Sequence, residues 1–311
     1  MEYGIYPGSI TGDDRGGLAS GPPDDPDAIL AALRDLAGGR PFLVRGYTAF
    51  TDPGRDATET PRDVARYAGE GRRLDLVAQY QSDSGDVPGY LAFLRGLLRR
   101  HGPSIATLQV TEEPNMTDVA TLDGAYPNVR RALVEGVVAA RAEADRLGLP
   151  DLRVGFNTTP LLGPSAGFLD DITTLGGPDL LAALDYVGLD FFPDVFFPQP
   201  DVPAATAGLL ALHRDLMTRA GIGPDVPIHI TEHGWPTGPD RDPARQARVL
   251  HDVLTTLDGA AATLNIAAYL HFSLRDADSS DPGLFHRFGL MTDDHTPKPA
   301  YTTYRTAIAS S

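Results

Sequence analysis

Two short stretches of this chain end in the same way. Pro227-Ile228-His229-Ile230-Thr231-Glu232-His233-Gly234-Trp235-Pro236-Thr237 reads as a brief buried strand around Ile228 and Ile230 that breaks at Gly234 and Pro236. Ile105-Ala106-Thr107-Leu108-Gln109-Val110-Thr111-Glu112-Glu113-Pro114-Asn115 has the same shape. Each leaves a carboxylate at the mouth of an apolar strand, and the first is followed by the only Trp of the chain. Paired carboxyls suit acid–base and nucleophilic work. Cleavage of a glycosidic bond, for instance, needs one protonated carboxyl to help the leaving oxygen depart. It needs a second, ionised one to attack or to activate water. Their pKa values must then be driven apart, by burial for the acid and by hydrogen bonds or an arginine for its partner.

Strands that present carboxylates in this way need a scaffold, and the rest of the chain supplies a regular one. Strands are expected at Tyr3–Tyr6, Phe42–Tyr47, Leu74–Gln81, Ile105–Glu113, Leu152–Asn157, Tyr186–Phe191, up to Glu232, and Asn265–Phe272. Helices are expected between them: from Asp25-Pro26 to Gly38-Gly39, Pro61 to about Gly71, and Tyr90–Arg100. Further helices are expected over Pro127–Leu147, Ala166–Leu175, Ala205–Ala220, Pro243–Leu257 and Pro299–Ile308. Eight strand–helix alternations with near-continuous apolar strands and no linker predict one α/β domain over residues 1–311, a single (β/α)8 TIM barrel. A doubly wound open sheet is the alternative, but no glycine fingerprint for a dinucleotide follows the first strand.

In a barrel of this kind the site lies at the C-terminal ends of the strands. Those positions carry Arg45, Tyr47, Gln79, Gln81, Glu112, Glu113, Asn157, Asp190, Glu232, His233, His271, Arg275 and Asp276. The set is polar and hydrogen-bonding, with little positive charge and no phosphate-cradling glycine loop. A neutral, hydroxyl-rich ligand such as a sugar fits it better than a phosphate. Glu113 and Glu232 fall on the fourth and seventh strands, on roughly opposite walls of one pocket. Arg45 on the second strand is placed to keep Glu232 charged. Trp235 is a candidate stacking platform. Phe191, Phe192, Phe196 and Phe197, interleaved with prolines, read as a lid that excludes water or equally as core.

Composition narrows the partners. A net charge of −16 and a pI near 4.7 argue against nucleic acid and anionic membranes as partners. The absence of cysteine excludes disulfides, thiolate metal sites and a cysteine nucleophile. The chain begins without a basic or apolar leader and holds no apolar run long enough for a bilayer, so a cytoplasmic location is expected.

On these motifs the sequence resembles glycoside hydrolase clan A, the retaining (β/α)8 glycosidases. Glu112-Glu113-Pro114-Asn115 stands where that clan carries an Asn-Glu-Pro motif. Thr231-Glu232-His233-Gly234-Trp235-Pro236-Thr237 is similar to its seventh-strand end. Tyr269-Leu270-His271-Phe272-Ser273-Leu274-Arg275-Asp276, Phe288-Gly289-Leu290-Met291 and Lys298-Pro299-Ala300-Tyr301 resemble the eighth-strand region. Asp185-Tyr186-Val187-Gly188-Leu189-Asp190-Phe191-Phe192-Pro193 resembles the sixth. The resemblance implies Glu113 as acid/base and Glu232 as nucleophile. Three positions depart from the pattern: Glu112 replaces the asparagine that holds the sugar 2-hydroxyl. Phe192 replaces a tyrosine that donates to the nucleophile. Leu274 lies where a tryptophan platform is common.

The expected activity is therefore hydrolysis, with retention, of a β-type glycosidic bond in a short oligosaccharide or glycoside. Glu113 and Glu232 are catalytic. Arg45, Tyr47, Gln79, Glu112, Asn157, Asp190, His233, Trp235, His271 and Arg275 bind substrate, and neither cofactor nor metal is required. Two other readings remain: a sugar-binding barrel that has lost hydrolysis, and a divalent-metal enzyme using Glu112, Glu113, Asp190, Glu232 and His271 as ligands.

Overall fold

The computed structural model describes residues 1–13 and 16–310. Eight parallel strands close on themselves: β1 (Glu2–Tyr6), β2 (Phe42–Thr51), β3 (Arg72–Gln81), β4 (Ile105–Val110), β5 (Arg153–Thr158), β6 (Tyr186–Asp190), β7 (Ile228–His233) and β8 (Ile266–Phe272). Each pairs with its sequence neighbour, and β1 pairs with both β8 and β2, which shuts the barrel. Closure demands a tight approach there. A Cβ on Gly4 would lie 2.6 Å from Cβ of Leu43, so only glycine lets β1 and β2 meet at that level.

Seven helices cover the barrel among the described residues: α1 (Pro26–Ala37), α2 (Val87–His101), α3 (Val129–Arg146), α4 (Phe168–Ala183), α5 (Val202–Arg219), α6 (Pro243–Leu264) and α7 (Pro299–Ser310). Their starts follow from local chemistry. Asp25, Asp86, Asp201 and Asp242 each cap a helix by accepting from backbone N–H groups of the first turn, with proline in the first turn of each of these helices. The helix expected from Pro61 to Gly71 does not form. Only a 3₁₀ turn, Val64–Tyr67, stands there, because Asp63 is left-handed (φ 52°) and Glu70, Gly69 and Gly71 also take positive φ. β2 instead runs on to Thr51 and pairs with β3 over ten uninterrupted positions, Phe42↔Arg72 through Thr51↔Gln81. Helix α4 extends past Leu175 to Ala183 and breaks direction at Gly177, just before Pro178.

The core fills the layer between barrel and helices, with strand residues such as Val44, Leu76, Leu108, Phe156, Leu189 and Ile230 buried against helix residues such as Leu33, Leu94, Leu133 and Leu250. No described helix is long and apolar enough to cross a membrane.

Candidate active site

Alternation along β2 turns Arg45 and Tyr47 toward the barrel axis, and their partners sit on strands across it. Arg45 is fully buried. Its Nε–H donates to the Tyr47 hydroxyl (2.7 Å), one terminal nitrogen to Asp75 (2.6 Å), and the other to Gln109 (3.0 Å) and Glu112 (3.4 Å). The same nitrogen lies 3.7 Å from Glu232. The Tyr47 hydroxyl in turn donates to Glu232. Each nitrogen of the guanidinium thus faces at least one oxygen, the condition under which a buried charge is tolerated.

Glu232 reaches this network through a β-bulge. Ile230 pairs with Leu189 on β6, yet Glu232 pairs with the very next residue, Asp190, so Thr231 is one residue in excess. Two consecutive residues therefore face inward: Thr231 donates to Asp190 (2.5 Å), and Glu232 meets Tyr47. Gly188 makes the space, since a Cβ there would come within 2.6 Å of the Thr231 hydroxyl and 2.8 Å of Asn157.

The facing wall is a turn after β4. Thr111 and Glu113 both hold positive φ, 67° and 43°, uncommon for residues with side chains. Two side chains hold that turn. The Asp123 carboxylate accepts from the backbone N–H of Glu112 (2.8 Å) and of Tyr80 (2.6 Å). The Asn157 side-chain oxygen accepts from the N–H of Glu113 (2.9 Å). The amide nitrogen of Asn157 donates to Asp190 and lies 3.3 Å from Glu112. Carboxylate oxygens of Glu112, Glu113 and Asp190 all fall within 4.8 Å of one another. Glu113 is half-buried, whereas Glu112 and Asp190 are buried.

These surroundings split the titrations. Burial raises the pKa of Glu112, Glu113, Asp190 and Glu232. For Glu113 the charges of Asp190 and Glu232 add to it, and for Glu112 those of Asp190, Glu232 and Glu113 do, against Arg45. Asp190 is pushed up to about 8, by burial first and then by Glu232. Glu232 is also raised by burial, but Arg45 and the Tyr47 hydroxyl favour its charged form. The surroundings of Glu113, in the turn after β4, favour its protonated form, while Tyr47 and Arg45 favour the charged form of Glu232 on β7.

Of the positions expected from sequence, Arg45, Tyr47, Glu112, Glu113, Asn157, Asp190 and Glu232 converge. Gln79 is half-buried further along the inward face that carries Asp75. Four others go elsewhere. The bulge that turns Glu232 inward turns His233 outward, where its Nδ1 lies 2.6 Å from the Tyr269 hydroxyl. His271 contacts the same hydroxyl and packs against Tyr304 of α7. Burial holds His233 at about 3 and His271 well below its usual value, so both are neutral. Trp235 is 3% exposed. Its N–H donates to Asp194, and Arg241 and Arg245 sit 5.1 and 5.7 Å from its ring, so it braces two loops rather than offering an open face. Arg275 is buried and donates to Pro22 (2.6 Å) and Asp24 (3.0 Å), tying loops together.

Sequence reasoning missed the layer just beneath the rim. Asp75, Thr107 and Gln109 anchor Arg45 and each other from inside the strands. Their signal was present: a charged or amide residue inside otherwise apolar runs, Leu74-Asp75-Leu76 and Leu108-Gln109-Val110. Also missed was an aromatic wall. Tyr6 meets Tyr47 edge-on (5.0 Å) and stacks on Phe272 (5.3 Å), which ends β8 in the region where Leu274 was considered. The donor absent at Phe192 is supplied by Tyr47.

No family model matches the chain, and no curated protein matches it. Solved structures do. The fold is similar to a β-glucosidase over 91% of this chain and 88% of that one, at 16% identity and a TM-score of 0.63. It is similar to fungal β-1,4-galactanases over 98% and 99%, at 12% identity and 0.64. A glucosidase from Croceicoccus marinus aligns over 99% of this chain and 70% of its own, at 15% identity and 0.65. At these identities the likeness establishes the shared (β/α)8 barrel fold.

Proposed function

We propose that the chain is a retaining β-glycosidase in which Glu232 attacks the anomeric carbon and Glu113 protonates the leaving oxygen. Glu113 then deprotonates the water that releases the glycosyl–enzyme intermediate. The observation that carries this reading is the unequal support of two carboxyls at one barrel mouth. Glu232 accepts from Tyr47 beside Arg45 and is suited to attack. Glu113 is raised by burial first and then by Asp190 and Glu232, and is suited to hold a proton. The names of the similar structures, a β-glucosidase, β-galactanases and a glucosidase, support a β-linked sugar substrate. Incubation with activated 2-deoxy-2-fluoro glycosides followed by intact-mass measurement tests it. A stable adduct mapped to Glu232 is expected, and an adduct elsewhere would overturn the assignment.

The proximity of Glu112, Glu113 and Asp190 favours one second reading, a cation-dependent barrel enzyme. That reading loses its nitrogen ligand, because His271 faces α7 rather than the three carboxylates. Activity abolished by a chelator and restored by a divalent ion would select it.

A further inference from the structure

Behind Glu232, on the face of β7 and β8 that looks away from the pocket, three polar residues share one hydroxyl. The Tyr269 oxygen lies 2.6 Å from Nδ1 of His233 and 3.0 Å from Nδ1 of His271. All three side chains are buried, in a layer that also holds Ile228, Ile230 and Leu189. Tyr304 of α7 and Tyr3 of β1 pack on the Tyr269 ring, 5.8 and 6.2 Å away. A hydroxyl carries one proton, so it donates to one imidazole and accepts from the other. Burial keeps both rings neutral, and they therefore take opposite tautomers.

Apolar side chains of similar size would fill this layer without the cost of desolvating three polar groups. The reason for the polar ones lies in their place along the strands. β7 and β8 pair at Ile230↔Tyr269 and next at His233↔His271, three steps on one strand against two on the other. The surplus residue of the bulge lies between those two pairs, and the contact from Tyr269 to His233 crosses it. A strand slipped by one residue would turn Glu232 toward the helices and His233 into the pocket. His233 would then leave the Tyr269 hydroxyl. The hydrogen bond is thus made in the register that brings Glu232 to Tyr47 and Arg45.

We propose that Tyr269 is a positioning residue for Glu232: through His233 it locks the β7 bulge that turns the Glu232 carboxyl into the pocket. This rests on the reading of Glu232 as the nucleophile. Tyr269 lies on the opposite face of the barrel wall and acts through the backbone rather than on the substrate.

Tyr269→Phe tests it, because the ring stays against Tyr3 and Tyr304 and only the hydroxyl is removed. The substrate is a dinitrophenyl β-glucoside or β-galactoside, whichever the unaltered chain turns over faster. Its kcat/KM is expected to fall about tenfold, the scale of a slightly displaced nucleophile, with the loss in kcat rather than KM. The same change is then made in Glu232→Ala. There, added azide attacks the anomeric carbon in place of the carboxylate, the phenolate leaves and an α-glycosyl azide forms. With no carboxylate to aim, Tyr269→Phe should leave the azide rate within about twofold. An equal fall in both backgrounds, as a general loosening of the barrel would give, or no fall in either, overturns the proposal. Hydrogen exchange of the Thr231–His233 amides needs no turnover. Faster exchange in Tyr269→Phe is expected, and unchanged exchange overturns the lock. Near-UV circular dichroism checks folding. Should Tyr269→Phe not fold, His233→Asn, which keeps a polar atom near the Nδ1 position, is compared with His233→Leu. Equal exchange and equal activity in those two overturn the proposal as well. Absence of turnover by the unaltered chain removes the glycosidase reading, and exchange then decides whether Tyr269 locks the bulge.

Discussion

The ends of β4 and β7 carry the same two letters, Thr-Glu, and the barrel builds them in opposite ways. At β7 the deviation is a bulge: one extra residue, Thr231, lets Glu232 reach Tyr47 and Arg45 while the strand continues to His233. At β4 the strand has already ended, and Thr111 and Glu113 sit in left-handed turn geometry clamped by Asp123 and Asn157. The first carboxyl is given a donor and a cation, the second a ring of other carboxyls. Thr-Glu at β7 and Thr-Glu-Glu after β4 thus place Glu232 beside Tyr47 and Arg45 but Glu113 among other carboxyls, and the cause lies in neighbours contributed by other strands.

If that asymmetry is chemical, breaking each side should leave a distinct mark. The largest effect is expected from Glu232→Gln, which removes the nucleophile and should lower kcat for an aryl β-glycoside by about four orders of magnitude or more. Residual turnover near the unaltered level would remove Glu232 from the reaction. Glu113→Gln should cost about 10²–10⁴-fold in kcat/KM on alkyl or sugar leaving groups and far less in kcat/KM on nitrophenyl groups, which depart without a proton. Equal losses on both would deny it the role of acid. Tyr47→Phe leaves Glu232 with Arg45 alone. It is expected to cost about 1–3 kcal/mol of transition-state stabilisation, or roughly five- to 150-fold in kcat/KM. An unchanged pH profile and rate would show that the hydroxyl does not tune Glu232.

Much of this was legible before any coordinates. The barrel followed from the alternation of apolar strands with capped helices, because each capping Asp-Pro or Asp-x-Pro is a local signal and each strand is apolar along its length. The helix expected after β2 failed because turn-forming residues at positions 69–71, two of them glycines, outweighed a weak periodicity. Strand ends also named Arg45, Tyr47, Asn157 and Asp190. His233, His271 and Trp235 were misjudged because the face each side chain takes is set by pairing and by where the strand ends. His233 is turned outward by the single-residue bulge at Thr231, His271 takes the outward face of β8 opposite Leu270, and Trp235 lies beyond the end of β7. Register is set by pairing with β6 and β8, which is tertiary information. The exposed phenylalanines could not be sorted into lid or core by composition either, since the Asp194 anchor that fixes them uses partners about fifty residues away.

The smallest expected effect concerns stability rather than rate, and it sharpens the comparison from the β4 side. Asp190 sits between the two walls, accepting from Thr231 of β7 and Asn157 of β5, and its folded pKa is about 8 against an ordinary value of 3.8. The folded chain thus keeps a proton that the unfolded chain releases above about pH 4. With more protons bound in the folded state, stability falls as pH rises. The contribution is fully present below about pH 4 and is lost progressively up to about pH 8. Glu112, Glu113, Glu232 and Asp123, the last held at about 7, face the same region and slope the same way. Asp190→Asn cannot ionise, so its melting temperature should fall less between pH 4 and 8. A difference in that fall of about 1.5 °C corresponds to about 1 kcal/mol in a chain of 311 residues. Parallel curves for the two proteins would mean that Asp190 is charged in the folded state throughout. In that case the cation it needs would have to be Arg45, which the geometry instead commits to Asp75, Glu112 and Glu232.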